Sequence, residues 1–414
     1  MQTQPLLRSF LLIVSVTVFL TNAIGGNWPG WRGPTKNGLA ETNQFPPTTW
    51  SESENVLWKT AIPGRGHASP TIWEDSILLP TADEAKGTQS VLCFDRQSGV
   101  LKWEKLIHSG NLDTGGHDHT TQASATIATD GKLAYVSFLN NGGIYTTALT
   151  LAGELVWRKR VSSFVTHQGF GSSPHLYKDF VIVATDNKGG GVLAALDKTT
   201  GDMVWKRDRP KLPNYTSPVV LDVAGQEQLL LSGCELISSF NPNTGKTIWE
   251  IPGSTTECVV AMVTDGERVF TGGGYPTNHT VAIEADGSGE EAWKNNTRVY
   301  VTSLIVKDSH VYAANDAGFA ICWNSRTGEE MWKERLTGSF FSSPTLVGNT
   351  FYSTNIRGTT FVFKGTPDHF ELIAKNQLGD ECYASPVICD SRIYLRIAHK
   401  GKQRQEFLTC IGKP

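Results

Sequence analysis

Cysteine is scarce here and never paired: Cys93, Cys234, Cys258, Cys322, Cys382, Cys389 and Cys410 form an odd set with no C-x-x-C and no adjacent couple. A zinc ribbon is excluded on that spacing and a disulfide framework is disfavoured, so the cysteines read as small buried hydrophobes. Runs of one charge are missing too. The formal net charge is -3 with both signs interspersed, which leaves no electrostatic footprint for nucleic acid or an anionic membrane. G-x-S-x-G, H-E-x-x-H, the P-loop and the haem motif C-x-x-C-H are all absent, which removes the hydrolase, nucleotide and covalent-haem signatures. Only one long apolar run occurs. Phe10 to Leu20 follows Arg8 and precedes Asn22-Ala23-Ile24-Gly25-Gly26, and it has about half the ~20 residues a membrane-spanning helix needs. It reads as a secretory signal peptide over residues 1–26, cleaved after Ala23 or after Gly26. No transmembrane segment is expected, and no cysteine near the cleavage region can take a lipid. The expectation is an exported protein, periplasmic or secreted, that is not a lipoprotein.

What the chain does have is a repeat. With 39% hydrophobic and 19% charged residues it can bury a core, and its 414 residues need not mean several domains when one unit recurs. From Ala195 to Trp205 the sequence runs A-L-D-K-T-T-G-D-M-V-W, a strand, a turn with Asp197, Thr200 and Gly201, and a strand ending in an aromatic. The pattern returns with Asp95, Gly99 and Trp103; with Gly153 and Trp157; with Asn241, Gly245 and Trp249; with Glu284, Gly289 and Trp293; and with Asn324, Gly328 and Trp332. Cys93, Cys322 and Cys410 are aligned with Ala194 in this scheme. A second marker precedes each hairpin. Ser69-Pro70, Ser173-Pro174, Ser217-Pro218, Ser343-Pro344 and Ser385-Pro386 keep a Ser-Pro, and Ser124-Ala125, Ala261-Met262 and Ser303-Leu304 are read as copies without the proline. Proline is tolerated at the first residue of a strand. Four short strands in each unit of about 40 to 50 residues make a propeller blade.

Eight starts predict an all-β, eight-bladed propeller of four-stranded antiparallel blades; seven blades is the alternative. The last unit runs out of chain after its third strand, near Phe407 to Ile411. Asn55-Val56-Leu57-Trp58-Lys59-Thr60 resembles the missing fourth strand and is expected to close the ring, since an open ring leaves edge strands unpaired. The domains expected are the signal peptide, an N-terminal leader over 27–53 that packs on the propeller, and the propeller over 54–414.

A-x-D-x-x-T-G-x-x-x-W resembles the repeat of the pyrroloquinoline-quinone-like (PQQ-like) propellers, in the quinoprotein alcohol dehydrogenase-like superfamily. Trp28-Pro29-Gly30-Trp31-Arg32-Gly33-Pro34, with Gly38, resembles the leader of exported bacterial propellers of this type. The resemblance implies two functions. One is a binding or assembly role, as in the lipoprotein of the outer-membrane assembly machine (the BamB family), although its lipid-bearing cysteine has no counterpart. The other is quinone-dependent oxidation, with the quinone and a divalent cation in the channel. No motif supports either cofactor, because the adjacent-cysteine ring is missing and the calcium ligands find no match. Binding is the preferred reading, with quinoprotein oxidoreductase as the alternative; the partner is a protein or a small polar ligand at one face.

One constellation marks that face. His67, His117, His119 and His167 fall in the linkers that lead into the first three blades, while Glu257 and Glu381 stand four residues before a marker in the fifth and eighth. The first strand of a blade is innermost, so these linkers should meet at one channel mouth. Histidine and carboxylate there can bind a cation or polar ligand. His117 and His119 flank one residue and are the expected metal pair, as alternate residues of an extended segment point the same way.

Overall fold

The computed structural model describes residues 26–413, except Thr114 and Asp118; the signal-peptide expectation falls outside them but for Gly26. The described residues form thirty-two strands in eight four-stranded antiparallel sheets, arranged as an eight-bladed β-propeller. In the third blade these are His175–Tyr177, Phe180–Ala184, Val192–Asp197 and Met203–Asp208, paired in sequence order from the channel outwards. The eighth blade takes its outermost strand from the other end of the chain. Val56–Ile62 pairs with Gln405–Ile411, with Trp58 opposite Cys410 and Thr60 opposite Leu408.

The repeat's chemistry is visible at each turn. Asp197 Oδ1 accepts from the amides of Thr199 and Thr200, Asn241 and Asn324 do the same for theirs, and the tight turn is thereby fixed by a side chain. Gly201 has φ +73°, and a Cβ there would lie 2.6 Å from the indole of Trp157 in the preceding blade. A glycine is required on both counts. One residue bulges from the outer strand in all eight blades; in the seven whose outer strand carries a tryptophan the bulge lies beside it, turning the indole toward the neighbouring blade and leaving pairs such as Met203 and Val204 exposed, while the seventh has Ala374 in its place. The indole N–H then bonds across the seam: Trp103 to the Leu151 carbonyl (3.1 Å), Trp157 to Lys198 (2.8 Å), Trp205 to Pro242 (3.2 Å), Trp293 to Ser325 (2.8 Å), Trp332 to Thr366 (2.7 Å) and Trp58 to Arg96 (3.3 Å). Each of these six seams thus buries a large aromatic and satisfies its polar handle.

The marker residues form an inner girdle. The amide of Ser69 donates to Thr126 Oγ1, that of Thr126 to Ser173 Oγ and that of Ser173 to Ser217 Oγ. The amides of Ala261, Ser303, Ser343 and Ser385 donate in turn to the hydroxyls of Ser303, Ser343, Ser385 and Ser69. The marker of the second blade is therefore Thr126, not Ser124; two residues of register separate them. The alignment of Ala194 also needs correction. Cys93, Cys322 and Cys410 oppose Trp103, Trp332 and Trp58, and the residue opposite Trp205 is Ala195. A one-residue slip along a strand exchanges faces. All seven cysteines are buried as free thiols.

The leader crosses the far end of the channel. Trp28 pairs with Ile72 of the first blade, the Thr129 amide of the second donates to the Pro29 carbonyl, and Lys36 Nζ bonds the Val220 carbonyl of the fourth. Arg32 is buried and donates to Pro344 and Leu304 on the seventh and sixth; burial lowers its pKa to about 9. Leu39 bridges Leu346.

Candidate functional site

The linkers converge at the mouth opposite the leader, around a cavity of about 590 Å³. Its wall follows from the girdle. Each marker turns toward its neighbours in the girdle, and the residue two positions earlier lies at the channel: His67, Ser124, Gly171, Tyr215, Val259, Val301, Phe341 and Tyr383, one from each blade, all line the cavity. Trp31 of the leader lines it as well and also the smaller space behind the leader, so the channel is blind at that end. A cavity of this size with a largely apolar wall and a few placed polar groups suits a small ligand.

His67, His117 and His119 all line this cavity. The His67 ring stacks on Tyr383 at 4.0 Å between centroids, and its Nε2 is buried without a hydrogen-bond partner. Burial, followed by the charges of Arg65, Arg396 and Arg404, holds its pKa well below the ordinary histidine value. His117 and His119 sit on the long linker into the second blade, with ring centroids 5.2 Å apart. That linker reaches over the mouth: His119 Nδ1 is 2.8 Å from the Tyr383 hydroxyl and its ring meets the edge of Phe341. His117 Nδ1 accepts from the His119 amide.

His167 and the two glutamates are placed differently. His167 Nε2 is 3.0 Å from Glu257 Oε1, and it is Gln168 that lines the cavity. Glu257 lies in the wall with its side chain only 3% exposed, accepting also from Gln168 Nε2 and the Tyr300 hydroxyl. Glu381 faces the turn between the last two chain segments of its own blade, where it accepts from Arg404 and meets Lys400. The position four before the marker, held by Arg65, Glu257 and Glu381, has a distinct job: each pairs with a neighbouring strand end, at Ala82, Tyr275 and Ala398. The sequence reading singled out that position, and of the one two residues nearer the marker it picked out only His67, missing Tyr215, Phe341 and Tyr383. The signal was present as a fixed offset, obscured in the second blade by the wrong marker.

The channel carboxylates are committed. Asp316 accepts from the amides of Tyr300 (2.7 Å) and Val301 (3.0 Å), and burial raises its pKa. Arg298 donates to the Gly274 carbonyl and lies over the Tyr300 ring. A quinone with a calcium ion needs carboxylate and amide oxygens free to face the metal, and Glu257 and Asp316 have theirs engaged. Among the described residues no three His, Cys, Asp or Glu side chains gather as metal ligands. The residues present do not fit a quinone–metal centre.

The chain matches the family model described as outer membrane protein assembly factor BamB over residues 87–334 and 277–364, together more than half its length. No curated protein matches it by sequence. Among solved structures it is similar to BamB from Moraxella catarrhalis (15% identity, TM-score 0.60, covering 85% of this chain and 96% of that one). It is similar also to a europium-containing methanol dehydrogenase (10%, 0.69, 93% and 98%) and to the quinohemoprotein alcohol dehydrogenase from Comamonas testosteroni (12%, 0.66, 94% and 81%). At these identities the likeness is one of fold. No helix of the described residues is long and apolar enough to cross a membrane.

Proposed function

The chain belongs to the family of outer membrane protein assembly factor BamB, and from that premise we propose that it is an exported binding module whose ligand enters the cup at the channel mouth. The observation that carries this reading is the wall itself: each of the eight blades contributes the residue at one repeated position to a blind cavity, while the acids beside it are already hydrogen-bonded. Such a wall can enclose a ligand, and among the described residues the carboxylates beside it, Glu257 and Asp316, are held by their own donors. The periplasm or the extracellular space is the compartment proposed, in keeping with the N-terminal apolar run.

Native mass spectrometry of the protein purified from its own source tests this. A small molecule should be retained by the wild type and lost, at least tenfold, in Tyr383→Ala. Quinone-dependent turnover of alcohols with added pyrroloquinoline quinone and calcium, abolished by chelation, would overturn it in favour of an oxidoreductase.

A further inference from the structure

Away from the cup, the bulge in the outer strands exposes the residue two positions before the tryptophan in each of the first six blades. In the first three it is Leu101, Leu155 and Met203, 41%, 50% and 42% exposed. In the next three it is Thr247, Glu291 and Glu330, exposed as well. The repeat therefore requires this position to face solvent and leaves its polarity free. Single exposed apolar residues are ordinary, but here three neighbouring blades carry them, and Val156 and Val204 extend the patch. The seventh blade has Leu372 exposed beside Glu371, and Val56 of the eighth is half-buried.

The same three strands are basic in a chain whose formal net charge is -3. Leu101–Ser109, Leu155–Ser163 and Met203–Asp208 carry seven Lys and Arg against two acids, Glu104 and Asp208, while the other five outer strands carry five of each sign. The second blade is the middle of this band, with Arg158, Lys159 and Arg160 and no acid in its strand. Lys159 pairs with Asp202 of the third blade. Arg158 and Arg160 donate to the carbonyls of Ile107 and Gly142, and among the described residues neither has a carboxylate in ion-pair reach. The strand is also an edge: it pairs with Gly143–Thr150 and, among the described residues, with no second strand. A row of amides and carbonyls is left for another chain.

Three occupants can be weighed against these features. Cations along an exposed edge repel a like edge, which disfavours a second copy meeting it strand to strand. The rim of a ring is convex, so a flat lipid surface touching the second blade would stand off the first and third. An extended polypeptide of opposite charge satisfies all three: its main chain pairs with the free edge, its acids meet Arg158 and Arg160, and its apolar side chains cover Leu155 and Val156.

We propose that the free edge of the second blade accepts an added β-strand from a partner protein, an extended segment that is acidic over one half and apolar over the other. The probe is a nine-residue peptide, the length of that strand, with valine in one half and glutamate in the other (acetyl-TVTVTETET-amide), added to the full mature protein at low salt. Its controls are the same peptide with lysine for glutamate, the acidic peptide N-methylated on alternate amides, and phosphatidylglycerol vesicles. Hydrogen exchange in Leu155–Ser163 should slow with the acidic peptide and with none of the controls. Fluorescence anisotropy should show saturable binding that falls at least about tenfold when Arg158→Glu and Arg160→Glu are combined. Val156→Asp, a single exposed change, should weaken it likewise and carries the test if the double variant does not fold. Equal binding of the N-methylated peptide would mean charge attraction without strand addition and would overturn the proposal. Vesicle binding in place of peptide binding, lost in the double variant, would assign the edge to lipid instead. No slowing of exchange at millimolar acidic peptide, or binding unchanged in the variants, would overturn it as well.

Discussion

The seam that closes the ring, between the eighth and first blades, and the seam between the fourth and fifth bury similar faces by different means. At the closure two guanidinium groups cross in opposite directions. Arg96 of the first blade donates to the Tyr394 hydroxyl and lies 3.4 Å from Cys389 Sγ in the eighth. Arg396 of the eighth donates to the Pro80 carbonyl in the first and pairs with Glu406 at 2.7 Å, both side chains buried. The chain crosses this seam through residues 63–70, between Val56–Ile62 and Thr71–Trp73, as it crosses the others; what strand pairing alone closes is the eighth blade itself. The other seam departs from the repeat twice. Ala261 offers no hydroxyl to the girdle, and Trp249 bonds not the next blade's carbonyl but Gln228 Oε1 at 2.9 Å, while Gln228 Nε2 donates to the Ala285 carbonyl of the fifth blade at 2.7 Å. A side chain has become the relay between indole and neighbour. A repeat fixes what every seam needs, and individual seams meet that need with different groups.

Four experiments would break or sharpen this contrast. Deleting residues 54–61 should cost most, because it removes a strand and the Trp58 indole from the closure; a closed ring loses its cooperative thermal transition, whereas fraying confined to the eighth blade in hydrogen exchange would mean the blades are held one by one. Arg396→Met should lower the unfolding free energy by about 3–5 kcal/mol in urea titration, since it strands Glu406 in the interior. A loss below that range would show that Arg404, 2.7 Å from Glu406 Oε1, suffices for it. Gln228→Leu should cost about 1–3 kcal/mol by leaving the buried Trp249 N–H unpaired. No measurable change would mean the indole finds another acceptor and the relay is dispensable. Ala261→Ser is the smallest effect and the only gain: a hydroxyl there can accept from the Ser217 amide and complete the girdle, adding about 0.5–1.5 kcal/mol. A loss of stability instead would show that the wall at the fifth blade has no room for an oxygen.

Much of this architecture was legible in the sequence because it repeats. Trp103, Trp157 and Trp205 announce their hairpins by recurrence, and the unpartnered strand at Val56 was assigned to Ile411 by counting what the eighth unit lacked. The inner details were harder. Thr126 replaces serine with another hydroxyl, and the nearby Ser124 looked like the better copy; the distinction is a matter of register that only the Ser173 contact resolves. The candidate site was legible as a region, since three of the four histidines face one cavity. It was not legible as chemistry. Glu257 and Glu381 share an offset from their markers, yet one meets His167 and Tyr300 and the other Arg404, because linkers of different length and composition pass each. Conformations outside the repeat carry no periodic signal.

The floor of the cup also sets an order of events. Arg32 reaches carbonyls at Leu304 and Pro344, and Leu39 lies beside Leu346, so the leader, whose Trp28 has its partner in the first blade, is not fully seated until the seventh blade has been synthesised and folded. Trp58 must likewise wait for Cys410. Loops this long are slow to close, as their entropy is lost before their contacts form. A molecule caught midway would hold its leader by Trp28 and Pro29 on the first two blades, with Arg32 and Leu39 still without their partners. The start of the chain is thus the last part to come to rest, and a pulse of proteolysis during refolding should cut there first.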